Sequence, residues 1–132
     1  MALTIAVINS NEDTVDMLRF AFEKAGFNTV TAHIADIKRG KTDFLELIQQ
    51  HDPALILYDV AHPYKENWVF LQMLRDTDAV RGRHFLLSTT NKALLEKVAG
   101  PEIDVFELSE KPYDLKQLVD SAKRMLGIEA NI

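Results

Sequence analysis

Asp59 closes the apolar run Ala54-Leu55-Ile56-Leu57-Tyr58, and Pro63 follows four residues later. Such a run predicts a buried strand, which places the carboxylate at a strand mouth. In an open α/β sheet, ligands gather beyond the carboxyl ends of the strands, so an acid held there can carry chemistry that a surface Asp elsewhere could not. Asp also ends strands for a plainer reason: it accepts backbone N–H bonds in turns. Other chemistry is sparse. His33, His51, His62 and His84 lack metal-ligand spacing, and His62, in the loop after Asp59, reads as a solvated imidazole. Zero Cys excludes disulfides and thiolate metal sites and fits a reducing compartment. No G-x-S-x-G, P-loop or G-x-G-x-x-G is present, so hydrolase, NTPase and dinucleotide readings lack their motifs. Lys38, Arg39 and Lys41 form one small basic cluster, read as a solvated loop because longer runs mark binding patches. A net charge of -5 argues against a nucleic-acid surface, which needs a concentrated basic face.

The elements that must position Asp59 follow from periodicity. The chain has 132 residues, 47% hydrophobic and 27% charged, which suits one domain over residues 1–132 with a single core. No Pro/Gly/Ser-rich linker or internal repeat divides it, so an output activity is expected on a separate chain. Met1 to Ile8 lacks a basic leader and a cleavage pattern and is too short to span a bilayer. It reads as a first strand, and the expected location is cytoplasmic, with no membrane partner. Val15, Leu18, Phe22 and Ala25 recur at helical spacing up to a C-terminal stop at Gly26. Asn28 to Ala32 reads as a second strand, followed by a loop through Gly40 and a helix from about Thr42 to Gln50. Leu55 to Tyr58 is the third strand, and Trp68, Leu71 and Leu74 mark a third helix after Pro63. Phe85-Leu86-Leu87 is a fourth strand, Ala93 to Val98 a fourth helix, and Val105-Phe106 the centre of a fifth strand. Asp114 with Gln117 opens a fifth helix through a capping-box variant. Five βα units predict an α/β fold, a doubly wound parallel sheet of five strands covered on both faces.

In this order, the residues at the strand ends resemble the receiver domain of bacterial response regulators, the flavodoxin-like (βα)5 fold of chemotaxis signalling proteins. The resemblance covers nearly the whole chain. Pro53 to Asp59, then Pro63, is similar to the family's phosphoacceptor strand, which implies Asp59 as phosphoacceptor. Ser88-Thr89-Thr90 is similar to the end of its fourth strand, where a hydroxyl, here Thr89, bonds the phosphoryl group. Glu110-Lys111-Pro112-Tyr113 is similar to its Lys-Pro-aromatic motif, which implies Lys111 as phosphoryl partner and a cis bond before Pro112. Ala61, Thr90 and Asn91 fall at loop and tuning positions. Thr90 is larger than the usual residue beside the pocket and narrows access to Asp59. Leu108 stands where many receivers carry an aromatic, and Tyr113 is an aromatic near the same surface.

One departure is as informative as the match. After the first strand the family carries two carboxylates that hold Mg²⁺, and this chain has Asn9 and Ser10 in their place. Mg²⁺ demands oxygen ligands in near-octahedral geometry, usually including carboxylates. By the resemblance, only Asp59 and the Ala61 carbonyl remain, so Mg²⁺ is expected to bind weakly or not at all. Ser10 with Asp13 matches a capping box for the first helix. Glu12 or Asp13 would be the substitutes if an acid reached the site.

The resemblance therefore implies a stand-alone receiver of a two-component phosphorelay, a signalling module rather than an enzyme. Its partners would be a histidine kinase or phosphotransfer protein and an output protein docked on the face of the fourth helix, fifth strand and fifth helix. The alternative is a pseudo-receiver that binds a partner without phosphorylation, with Asp59 and Lys111 kept as a buried pair. A flavin-binding reading lacks the Ser/Thr-rich phosphate loop that cofactor needs.

Overall fold

Apolar runs too short for helices and bounded by turn residues become five parallel strands in a computed structural model, which describes residues 2–9, 11–101, 107–110 and 114–128. They are β1 (Thr4–Asn9), β2 (Asn28–His33), β3 (Leu55–Asp59), β4 (His84–Thr89) and β5 (Glu107–Glu110), in sheet order β2-β1-β3-β4-β5. Ile5 pairs with Leu55 and Ile8 with Tyr58, and Asp59 lies opposite Ser88. Parallel neighbours require crossovers, and these are α1 (Glu12–Lys24), α2 (Ile34–Lys38), α3 (Phe44–His51), α4 (Tyr64–Arg75) and α5 (Lys92–Ala99). The last element is α6 (Leu115–Met125).

Side-chain alternation along the strands divides the interior into two layers. Ile5, Val7, Leu55, Leu57 and Leu86 pack with Leu18 and Phe22 of α1 and Leu118 and Ala122 of α6. Ala6, Ile8, Ile56, Tyr58 and Leu87 pack on the opposite face with Ile34, Ile37, Ile48, Trp68, Leu71 and Leu95. Residues such as Leu57, Leu71 and Leu86 are closed to solvent, and each contributes about 1.5–3 kcal/mol by burial. Both layers press on β1 and β3, so the strand that ends in Asp59 is held rigidly from two sides.

Strands β1 to β4 and the α/β class agree with the sequence reading, and Gly26 follows α1 at φ +100°, a conformation that favours glycine. Two expectations are corrected. Residues 34–38 form the short helix α2 where a loop was expected; Ile34 and Ile37, three apart, bury one side of a single turn. The N-cap of α1 is Asn11 and not Ser10: Asn11 Oδ1 accepts the Thr14 N–H at 3.0 Å from an extended backbone. Glu12 and Asp13 occupy the first turn of α1, where acids favour the helix dipole, and both are exposed. Asp114 caps α6 as expected, accepting from Lys116 and Gln117 N–H at 3.0 and 3.3 Å. The expected strand centre at Val105-Phe106 lies outside the described residues.

Candidate functional site

The chain leaves β1 into α1 on one face and, after β3, packs α4 on the other. The carboxyl ends of these adjacent strands therefore open a crevice, the place where doubly wound sheets bind ligands. Asn9 ends β1, Asp59 ends β3 and Thr89 ends β4, with Ala61, Thr90 and Asn91 just beyond. The fold thus brings six of the sequence-predicted site residues to one edge of the sheet. Lys111 and Pro112 follow the last residue of β5 and, like Ser10, lie outside the described residues.

Asp59 is buried at 3% exposure, and Ser88 Oγ donates to its Oδ1 at 2.8 Å. Parallel register dictates this pairing, because Asp59 and Ser88 sit opposite one another on β3 and β4. Thr89 is buried too; its Oγ1 accepts the Asn91 N–H at 3.4 Å. Asn91 caps α5 by accepting from Leu94 N–H at 3.0 Å. The Thr90 hydroxyl, one residue closer to solvent, lies 2.9 Å from the Tyr64 hydroxyl, which ties the start of α4 to the end of β4. Burial, and then the charge of neighbouring Asp59, push the Tyr58 phenol well above its ordinary pKa. The carboxylate's field is felt through a medium that solvates it poorly.

A cleft of about 190 Å³ opens beside Asp59, walled by Tyr58, Ala61, His62, Asn67 and Lys38. His62 is exposed, with its ring stacked on Tyr64 at 6.1 Å between centroids. The His62–Pro63 peptide is cis, the single such bond among the described residues. Asn67, in the first turns of α4, donates its Nδ2 to the Ala61 carbonyl at 2.7 Å and accepts from Lys38 Nζ on its Oδ1. The Lys38 ammonium also lies 5.4 Å from the centre of the Phe70 ring, within cation–π range. The reading of Lys38 as a loop residue is therefore corrected: it ends helix α2, and although exposed as expected, its charged end is tethered to Asn67.

Several oxygens that the resemblance offers to Mg²⁺ have other engagements. Asn9, 1% exposed, accepts the Asn11 N–H on its Oδ1 at 3.1 Å. The Ala61 carbonyl and Asp59 Oδ1 accept from Asn67 and Ser88. Among the described residues, no group of three or more His, Cys, Asp or Glu side chains is placed to hold a metal ion. None of the described helices is long and apolar enough to cross a membrane.

Ser88, Asn67 and Lys38 are the members of the site that sequence reasoning missed. Ser88 is adjacent to Thr89 and was hidden by register, which a lone strand does not reveal. Asn67 and Lys38 meet across 29 positions of sequence, through a helix the sequence did not signal.

No protein-family model matches the chain. Solved structures do. A signal receiver domain of a two-component histidine kinase from Clostridium thermocellum superposes with a TM-score of 0.77 at 22% identity, over 97% of this chain and 100% of that one. The chemotaxis response regulator CheY4 of Vibrio cholerae gives 0.73 at 18% identity, covering 94% and 98%. A response regulator receiver protein from Burkholderia phymatum gives 0.74 at 15% identity, covering 98% and 99%. At these identities the likeness defines the fold. The chain has the fold of response regulator receiver domains, from end to end of the structures it resembles.

Proposed function

We propose that the chain is a receiver module of a two-component phosphorelay, in which Asp59 accepts a phosphoryl group from a histidine kinase or phosphotransfer protein. The observation that carries this reading is a buried carboxylate at the end of β3, in the crevice beside β1, held by a hydroxyl from β4 and facing an open cleft. Thr89 and Lys111 are assigned to the phosphoryl group by the sequence resemblance. The output surface is the face of α5, β5 and α6, one helix number higher than in the sequence because α2 adds a helix. The module signals and does not turn over a substrate.

The donor set suits Mg²⁺ poorly. That ion keeps octahedral geometry and is usually held by carboxylates together with water and phosphate. Asp59 is the acid on the cleft wall, Asn9 is neutral and bonded to the α1 turn, and the Ala61 carbonyl is bonded to Asn67. Phosphoryl transfer depends on positioning and on neutralising charge on the transferred group, so weak metal binding must be offset by another cation or the reaction slows. The same commitments favour a second reading, a pseudo-receiver that binds its partner with Asp59 unmodified.

One experiment separates the two. The protein is incubated with acetyl phosphate, with and without Mg²⁺, and its intact mass is followed beside an Asp59→Asn control. Phosphoryl mass gained by the parent and lost in the control supports the phosphorelay. No gain under either condition overturns it in favour of the pseudo-receiver.

A further inference from the structure

We infer that Lys38 is a built-in counter-cation for an anionic group carried on Asp59, supplying from the protein the positive charge that a divalent metal would otherwise bring. The inference rests on the reading of Asp59 as an acceptor and names a further residue of that site.

Three observations carry it. Lys38 and Asp59 wall the same cleft, one from the end of α2 and the other from the end of β3. The ammonium is exposed but tethered at the rim of the cleft: Asn67 Oδ1 accepts from Nζ, and the Phe70 ring centre lies 5.4 Å away. The residue that holds the ammonium also holds the Ala61 carbonyl, at 2.7 Å. Asn67 thus occupies a backbone oxygen that a metal would use and presents a fixed cation to the same cleft.

The chemistry is consistent. An anchored Lys loses less rotamer entropy when it meets an anion than one moving freely in solvent. Its three N–H donors leave capacity for further acceptors beyond Asn67. A group that arrives on Asp59 with negative charge on its outer oxygens enters the cleft that this ammonium lines. Asp59 and Tyr58 are buried on one side and the exposed ammonium lies on the other, so their attraction is partly screened and depends on salt. The ligand class is a small tetrahedral anion bonded to a carboxylate oxygen, a phosphoryl group or its analogue. The sequence reading passed over Lys38 because neighbouring Arg39 and Lys41 made it one of a solvated cluster.

The test uses beryllofluoride, a ground-state analogue of a phosphoryl group on a carboxylate, titrated into chelator-treated protein and followed by ¹⁹F NMR and calorimetry. Three proteins are compared, parent, Lys38→Gln and Lys38→Arg, each first checked for an unchanged melting temperature. The parent is expected to bind without Mg²⁺, Lys38→Gln about tenfold more weakly, equivalent to about 1.4 kcal/mol, and Lys38→Arg close to the parent. Binding in the parent is expected to weaken with salt more steeply than in Lys38→Gln, a response that a purely structural role would not produce. Parent and Lys38→Gln binding equally well overturns the assignment of Lys38 and leaves Asp59 as acceptor. Binding that appears only with Mg²⁺ does the same. No binding with or without Mg²⁺ overturns the acceptor reading itself, and the inference with it.

Discussion

The Ser88 hydroxyl and the Asp59 carboxylate meet inside the protein, at 0% and 3% exposure, where a hydrogen bond to a charged group is worth more than at the surface. Ser88→Ala is expected to cost about 1.5–3 kcal/mol in urea unfolding, the range for bonds to ionised partners. In an Asp59→Ala background the same change is expected to cost clearly less, and equal costs in both backgrounds would show that the pair is not coupled. Tyr58 gives the site a second signature, in pH. Its folded pKa is raised from the ordinary 10.0, first by burial and then by Asp59. Below pH 10 both folded and unfolded states keep the proton, so the contribution of Tyr58 to stability is fully present. Above it the unfolded chain releases its proton first, and that stability is lost as the pH climbs toward the folded value. Tyrosinate absorbance is therefore expected to show one phenol that ionises only as the protein unfolds in alkali, and Tyr58→Phe is expected to remove that phase. These residue-level contacts were the least legible part of the sequence. Asp59 announced itself by ending an apolar run, whereas Ser88 took its place only once the β3–β4 register was known.

Among the elements, legibility followed length and periodicity. Strands β1, β3 and β4 were visible because burial on both faces leaves their central positions apolar, with polar residues confined to their ends. Helix α2 was not, because five residues hold too few turns for a periodic signal, and its two buried isoleucines look like any loop pair. The start of α1 was misplaced by one residue because Ser10 and Asn11 are both good caps. Only the chain's exit from β1 decides between them: Asn9 turns its Oδ1 to the Asn11 N–H, and Asn11 then reaches Thr14. Asn11→Ala is expected to lower stability by about 1 kcal/mol, while Ser10→Ala leaves the cap intact. Thermal or urea unfolding of the two variants checks this, and a larger loss from Ser10→Ala would return the cap to that residue. The α1 cap and the site are thus linked, since the Asn9 amide that the resemblance aligns with a metal ligand is a support for the first helix.

At the scale of the whole molecule, strand order places the ends of β1 and β3 side by side, so charge on one is felt on the other. Asn9 and Asp59 directly follow the paired residues Ile8 and Tyr58, and neighbouring strands lie about 4.8 Å apart. Replacing Asn9 and Ser10 together by Asp adds a carboxylate at the end of β1, next to buried Asp59, and a second that the resemblance assigns to the same site. Like charges at that range oppose one another by on the order of a few kcal/mol. The double variant is therefore expected to melt below the parent in chelator-treated buffer. Mg²⁺ is expected to reverse the loss, because a ligand that binds only the folded state stabilises it by mass action, about 2.7 kcal/mol at a hundred times its dissociation constant. The parent, with neutral Asn9 tied to α1 and the Ala61 carbonyl tied to Asn67, is expected to show little dependence on Mg²⁺. Melting curves of both proteins across a Mg²⁺ series decide the matter. A parent stabilised as strongly as the double variant would mean that the oxygens now bonded to Asn11, Asn67 and Ser88 release those donors to take the ion, and that Lys38 shares its cleft with a metal.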